Sequence, residues 1–119
     1  MQIAAPVGCE PAARLFYGGL LGLQELEKPE PLRARGGAWF ALADGRQLHI
    51  GVEEGFVPAR KAHPALRAAA GEIDALAARI RAADGVVTWD DALPGVRRFY
   101  TEDPWGNRIE VLASGAEEA

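Results

Sequence analysis

The sequence has little cysteine, no basic cluster and no long apolar run. Its one cysteine, Cys9, cannot form an internal disulfide, which is typical of proteins in reducing compartments. The formal net charge is -4, and basic residues gather no further than pairs such as Arg97-Arg98, so no nucleic-acid partner is expected. No apolar stretch approaches the ~18 residues of a membrane span, and no basic-then-apolar secretory signal opens the chain. We therefore expect a soluble cytoplasmic protein without a membrane partner.

What the sequence does contain is a repeated order of predicted elements. Its 119 residues suit one compact domain. The first half predicts a strand at 1–5, a helix at 11–21, and, after an extended segment at 23–26, strands at 38–42 and 47–52. The second half predicts a strand at 62–67, a helix at 72–83, and strands at 86–89, 96–102 and 107–112. Helical spacing places Ala12, Leu15, Phe16, Gly19 and Leu20 on the apolar face of the first helix.

This order predicts an α+β fold made of two βαβββ modules. Each module alone would leave one sheet face bare, so we expect curved mixed sheets around a shared cavity. The modules cover about 1–53 and 62–113, within a single domain at 1–113. The small, acidic residues 114–119 predict a flexible tail.

Two strands of the repeat are similar in sequence. The segment Gly45-Arg46-Gln47-Leu48-His49-Ile50 is matched 61 residues later by Gly106-Asn107-Arg108-Ile109-Glu110-Val111, so that His49 corresponds to Glu110. Side chains alternate between the faces of a strand, and the apolar neighbours of both residues need the helix-covered face. His49 and Glu110 are therefore expected on the opposite face, which looks into the cavity.

Two motifs carry a resemblance to a known family. They are Phe16-Tyr17-Gly18-Gly19-Leu20-Leu21-Gly22-Leu23 at the first helix end, and Asp103-Pro104-Trp105-Gly106-Asn107-Arg108-Ile109-Glu110 at the last turn and strand. With the order of elements over about residues 1–113, they resemble the vicinal oxygen chelate superfamily. That superfamily includes glyoxalase I, bleomycin-resistance proteins, fosfomycin-resistance enzymes and extradiol dioxygenases. Neither motif identifies a reaction.

The resemblance implies one divalent metal held by ligands from both modules. On this chain the matching positions are His49, His63 and Glu110, and the glyoxalase I pattern has a carboxylate where His49 stands. An offset of 61 residues from His63 gives Gln2 as the fourth ligand, through its carbonyl oxygen. An offset of 63, taken from Gly22 and Gly85, instead falls before Met1 and leaves that ligand absent. Both alternatives stay open here.

Two imidazoles and a carboxylate suit Fe, Zn, Ni, Co or Mn equally well. The first hypothesis is a metal-dependent lyase, isomerase, thiol transferase or dioxygenase on a small oxygen-rich substrate, with Glu110 as a candidate base. The alternative is a metal-free protein that sequesters a small molecule, as bleomycin-resistance proteins do. Four further residues could hold an anionic group of the substrate: Arg60, Lys61, Arg97 and Arg98. The resemblance also implies a homodimer.

Overall fold

The structure, a computed structural model, describes residues 1–114. The chain divides into two compact units, Met1–Pro58 and Ala59–Ala119. The predicted tail lies outside the described residues except for Ser114, whose backbone ends the last strand. No helix within residues 1–114 is both long and apolar enough to cross a membrane.

The first unit contains one four-stranded mixed sheet. Its strands are β1 (Gln2–Ala5), β2 (Gln24–Leu26), β3 (Ala38–Ala41) and β4 (Gln47–Val52), in the order β1-β4-β3-β2. β1 runs parallel to β4, and the other pairs are antiparallel. Helix α1 (Glu10–Ala13) follows β1, and a short helix, α2 (Glu30–Arg33), lies in the loop between β2 and β3.

The second unit repeats this topology. Its strands are β5 (Ala65–Arg67), β6 (Thr88–Asp90), β7 (Val96–Glu102) and β8 (Arg108–Ser114), in the order β5-β8-β7-β6, with only β5 and β8 parallel. Helix α3 (Ile73–Ala82) crosses from β5 to β6 and packs against β8. The α+β class and the two modules predicted from the sequence are therefore confirmed.

The predicted apolar face of the first helix is partly wrong. After α1 the chain continues as a π-helix over Arg14–Leu20, where the Leu21 N–H donates to the Phe16 carbonyl five residues back. The wider turn changes which residues face the sheet. Phe16 and Tyr17 are buried, whereas Leu15 is 74% exposed.

Alternation along the central strands is as predicted. Leu48 and Ile50 of β4 are buried on one face while His49 between them is partly exposed. In β8, Ile109 and Val111 are buried in the same way, and Glu110 points to the other face. The apolar faces form the cores of the two units, and the opposite faces carry the candidate site residues.

Candidate functional site

The turn before β8 is held by two buried polar side chains, Asp103 and Asn107. Asp103 Oδ1 accepts hydrogen bonds from the backbone N–H groups of Trp105 and Asn107, at 3.1 and 2.9 Å. The Asn107 amide donates to Asp103 Oδ2, and its Oδ1 accepts from the Ala59 N–H, both at 2.9 Å. The Gly106 N–H closes the turn on the Asp103 carbonyl at 3.1 Å. The motif therefore fixes the start of β8 and the segment leading to His63.

His63 and Glu110 form the centre of the candidate site. His63 Nε2 lies 3.0 Å from Glu110 Oε1. The two side chains are 24% and 10% exposed, so both are largely withdrawn from solvent yet reachable. Glu110 is positioned by β8, whose parallel register with β5 places it opposite Ala65, two residues after His63.

The other ring nitrogen of His63 decides what Nε2 can do. His63 Nδ1 lies 2.9 Å from the Lys61 carbonyl oxygen, which can only accept a hydrogen bond. Nδ1 therefore carries a proton, and in the neutral ring Nε2 presents a lone pair to the Glu110 carboxylate. Two such acceptors 3.0 Å apart repel each other unless a proton or a metal cation lies between them.

This pair fits a divalent metal. Two ligand bonds of about 2.1 Å that meet at the roughly 90° angle of an octahedral site leave the donor atoms about 3.0 Å apart. The observed separation of Nε2 and Oε1 has this value. A carbonyl that holds the second ring nitrogen is the usual support for a metal-bound histidine. Within residues 1–114, however, no three His, Cys, Asp or Glu side chains come together as a metal site.

A cation already accompanies the Glu110 carboxylate. Arg98 Nη1 lies 3.5 Å from Glu110 Oε2, and Arg98 Nη2 lies 3.2 Å from Asp90 Oδ1. Arg98 Nε is buried and has no hydrogen-bond partner among residues 1–114. Arg98 thus turns one oxygen of Glu110 toward itself and leaves the other facing His63. Arg98 projects from the same face of β7 as Tyr100 and contacts Glu110, whereas Arg97 projects from the other face and is bonded to Asp74 on α3 at 2.7 and 3.0 Å.

Tyr100 lies on the sheet next to this pair. The register of β7 with β8 places it directly opposite Glu110, and its ring meets the His63 ring edge-on with the centroids 5.5 Å apart. The guanidinium of Arg108 lies over the Tyr100 ring at 3.9 Å. Sequence reasoning did not single out Arg108, although it shares a strand face with Glu110 two residues away.

His49 occupies the equivalent position in the first unit, with different neighbours. Its ring stacks on Trp39, with the centroids 3.8 Å apart and the planes 2° from parallel, and its Nε2 lies 2.9 Å from Gln47 Oε1. Burial, followed by the positive charges of the N-terminal ammonium and Lys28, lowers the pKa of His49. At neutral pH its imidazole is therefore neutral, the form that binds metals.

Gln2 pairs with His49 across the parallel β1–β4 ladder, and its side-chain amide lies over Gly51. In the second unit Ala65 pairs with Glu110 in the same way. The sheet register therefore equates Gln2 with Ala65 and not with His63. The offset between β1 and β5 is therefore 63 residues, the alternative in which the position equivalent to His63 falls before Met1.

Comparison with known proteins extends this description. The structure matches a protein assigned to the glyoxalase family from Bacillus anthracis with a TM-score of 0.89 and 47% identity, covering 95% of this chain and 90% of that one. It matches a glyoxalase/dioxygenase from Nostoc punctiforme with a TM-score of 0.76 and 26% identity, over 95% and 88% of the two chains. The fosfomycin resistance protein FosX from Listeria monocytogenes shares the fold, with a TM-score of 0.73 and 18% identity over 99% and 93%.

No protein-family model matches the chain, and neither does any curated protein. The family assignment depends instead on the solved structures. Nearly half of the aligned residues are identical to those of the Bacillus anthracis protein, and the alignment spans almost the whole of both chains. The chain belongs to the glyoxalase family, within the vicinal oxygen chelate superfamily.

Proposed function

We propose that the protein is a divalent-metal-dependent enzyme that acts on a small oxygen-rich substrate, and that His63 and Glu110 are two of its metal ligands. The observation that carries the proposal is the 3.0 Å approach of His63 Nε2 to Glu110 Oε1, with Nδ1 held by the Lys61 carbonyl. This arrangement offers one nitrogen and one oxygen donor to a cation. The reaction would be that of a lyase, isomerase, thiol transferase or dioxygenase.

A bound divalent ion would supply Lewis acidity, which stabilises negative charge on neighbouring oxygens of the substrate. The chain's own residues prepare the site for it. The Lys61 carbonyl fixes the tautomer of His63, and Arg98 orients the carboxylate of Glu110. Tyr100 covers the sheet beside them and contacts the His63 ring. Glu110 is also the candidate general base, since its carboxylate lies beside His63 and can accept a proton.

The remaining ligands are proposals from the resemblance. His49 is proposed as the third ligand, and its neutral imidazole at neutral pH suits that role. The Gln2 carbonyl oxygen is proposed as the fourth, although its register position is that of Ala65. Gln2→Ala is therefore the substitution expected to lose the least metal. A homodimer is proposed on the same resemblance, and light scattering after size-exclusion chromatography tests it.

Metal analysis tests this function. Protein purified without chelator, then incubated with Mn, Fe, Co, Ni or Zn and desalted, should retain metal in a fixed ratio to the chain. His63→Ala and Glu110→Ala should each lose it, whereas Asp91→Ala, which removes an exposed carboxylate of the same unit, should not. Wild-type protein that retains none of the five metals would refute the proposal.

The second candidate is a metal-free protein that sequesters a small molecule. The observation that favours it is the Arg98 guanidinium beside Glu110, since this carboxylate already has a cationic partner. A protonated His63 would then complete an ion pair without any metal. Binding of an aromatic ligand, followed by tryptophan fluorescence and unchanged by chelator, would support this function. Loss of binding in the presence of chelator would instead support the metal-dependent enzyme.

A further inference from the structure

A pocket opens on the same face of the second sheet as Glu110. It has a volume of about 270 Å³, and Arg60, Thr88, Tyr100, Glu102 and Arg108 are among the residues that line it. The strand register explains this grouping, because Thr88 pairs with Tyr100, Tyr100 with Glu110 and Glu102 with Arg108. Residues paired in this way share one face of a sheet. We call it the Tyr100 pocket.

The charged residues that line the Tyr100 pocket give it a net positive charge. Arg60 and Arg108 contribute two guanidinium groups and Glu102 one carboxylate. Glu102 lies 4.0 Å from Arg60, at the limit of an ion pair, and both side chains are well exposed, so their mutual attraction is weak. Within the described part of the chain Arg108 forms no ion pair closer than 4.0 Å, although its charge also acts on the Asp90 carboxylate. Arg97 differs, because two hydrogen bonds already tie its guanidinium to Asp74.

The contact with Tyr100 holds Arg108 ready for an oxyanion. The guanidinium carbon lies 3.9 Å from the Tyr100 ring centre, so the ring fixes the group without using its N–H edges. Those edges form a planar fork that matches the two oxygens of a carboxylate or phosphate. The hydroxyl groups of Thr88 and Tyr100 add two further donors to the lining.

The Tyr100 pocket adjoins the His63–Glu110 pair. The Tyr100 ring has the Arg108 guanidinium over its face at 3.9 Å, and it meets the His63 ring in a T-shaped contact with the centroids 5.5 Å apart. The guanidinium and the imidazole can be no further apart than the sum of these distances. A single small molecule can therefore reach both groups. Its charged end would then lie only a few bonds from those of its own oxygens that face His63.

We propose that the Tyr100 pocket binds an oxyanion group of the substrate, a carboxylate or a phosphate, through Arg108 and Arg60. The substrate is then a small acid whose reacting oxygens lie near its charged group. This inference rests on the proposed function, because only an enzyme has a substrate. The binding of an oxyanion in the pocket, however, can be measured without any metal.

The test is an NMR titration of chelator-treated protein at constant ionic strength. Inorganic phosphate, acetate and neutral acetamide are added separately, and the backbone amides of Thr88 and Tyr100 are followed. Phosphate or acetate should give saturable shifts, whereas acetamide should give none. The anion that saturates at the lower concentration distinguishes a phosphate-bearing substrate from a carboxylate-bearing one.

The variants separate the fork of Arg108 from its charge. Arg108→Gln should weaken anion binding about tenfold or more, the usual effect of removing a charged hydrogen-bond donor. Arg108→Lys, which keeps the charge and the cationic contact with Tyr100, should lose less and guards against a folding defect. Arg81→Gln, an exposed residue on α3, is the control with the same charge change and should bind as the wild type does.

Two outcomes overturn the inference: shifts that rise without saturation, or equal affinity in Arg108→Gln and Arg81→Gln. Its failure can be distinguished from failure of the proposed function. Protein that retains metal but shows no saturable anion binding refutes the pocket alone. Protein that binds the anion but retains no metal refutes the enzyme proposal and leaves the pocket.

Discussion

Replacement of Gly37 by alanine should be one of the most damaging single changes in the first unit. Gly37 is buried immediately before β3, with a φ angle of +85°. A methyl group built there would overlap the Ile50 carbonyl oxygen, which belongs to the backbone of β4 and cannot move independently. The Gly37 N–H also donates to Glu10 Oε2 at 2.6 Å. The substitution therefore strains one residue, pushes two strands apart and weakens a partly buried hydrogen bond.

A matched control isolates the steric part of this cost. Gly45 has nearly the same φ angle, +88°, but a methyl group there would meet nothing within 4 Å. A left-handed conformation costs an alanine about 1–2 kcal/mol, which Gly45→Ala should show alone. Gly37→Ala adds a backbone overlap, at roughly 1–3 kcal/mol, and a weakened charged hydrogen bond. We expect it to lower the free energy of unfolding by about 3–5 kcal/mol in total.

The assay is urea unfolding of both variants, followed by circular dichroism and by tryptophan fluorescence. The Trp39 and His49 rings lie on the two strands that Gly37→Ala would separate, so near-ultraviolet signals should also change in that variant. Gly45→Ala should leave those signals unaltered. Equal losses of stability in the two variants would show that the overlap with Ile50 is not a determinant of this strand pair.

Three further predictions follow from individual contacts. Asn107→Ala should lower the free energy of unfolding by about 2–4 kcal/mol in urea unfolding, because it leaves buried polar partners unsatisfied. The control Asp44→Ala, in an exposed turn, should lower it by less than about 1 kcal/mol. Similar losses in the two variants would contradict the structural role of the buried network. The hydrogen bond from the Gly37 N–H lowers the pKa of Glu10, so the ionised Glu10 contributes fully to stability above pH 4.5, the ordinary pKa of its carboxyl group. This contribution is lost as the pH falls through the lower pKa of the folded state. Glu10→Gln should therefore reduce the fall in melting temperature at acid pH, and an unchanged fall would refute the prediction. Gly51→Ala should displace the flexible amide of Gln2 at little cost in melting temperature, and a cost as large as that of Gly37→Ala would show that the amide is fixed.

The order of elements along the chain and the strand faces could be predicted from the sequence, because apolar periodicity is a local signal. The apolar residues on either side of His49 and Glu110 required a buried face, and burial of Leu48, Ile50, Ile109 and Val111 agrees with it. The turn at Asp103-Pro104-Trp105-Gly106 was equally readable, since each residue type has a preferred turn position. Its side-chain network with Asn107 and Ala59 was not, because it joins segments 48 residues apart.

Two features lay beyond a single-sequence pattern. The π-helix of Arg14–Leu20 depends on a hydrogen-bond spacing that no residue type announces, so helical periodicity placed Leu15 in the core where the structure exposes it. The offset between modules was ambiguous because the loops differ in length. Only the parallel ladders, which pair Gln2 with His49 and Ala65 with Glu110, distinguish an offset of 63 from one of 61 at these strands.

The two modules show where this fold tolerates chemical change. On the core face, Leu48 and Ile50 correspond to Ile109 and Val111, so one aliphatic residue replaces another and the packing is retained. On the opposite face the same register replaces Trp39 and His49 with Tyr100 and Glu110. There a stacked aromatic pair becomes a carboxylate with cationic neighbours, and the strand pairing is unchanged. Because the core does not depend on that face, its side chains are free to set ligand chemistry. We assign the substrate's oxyanion to the second module because the cationic side chains lie there.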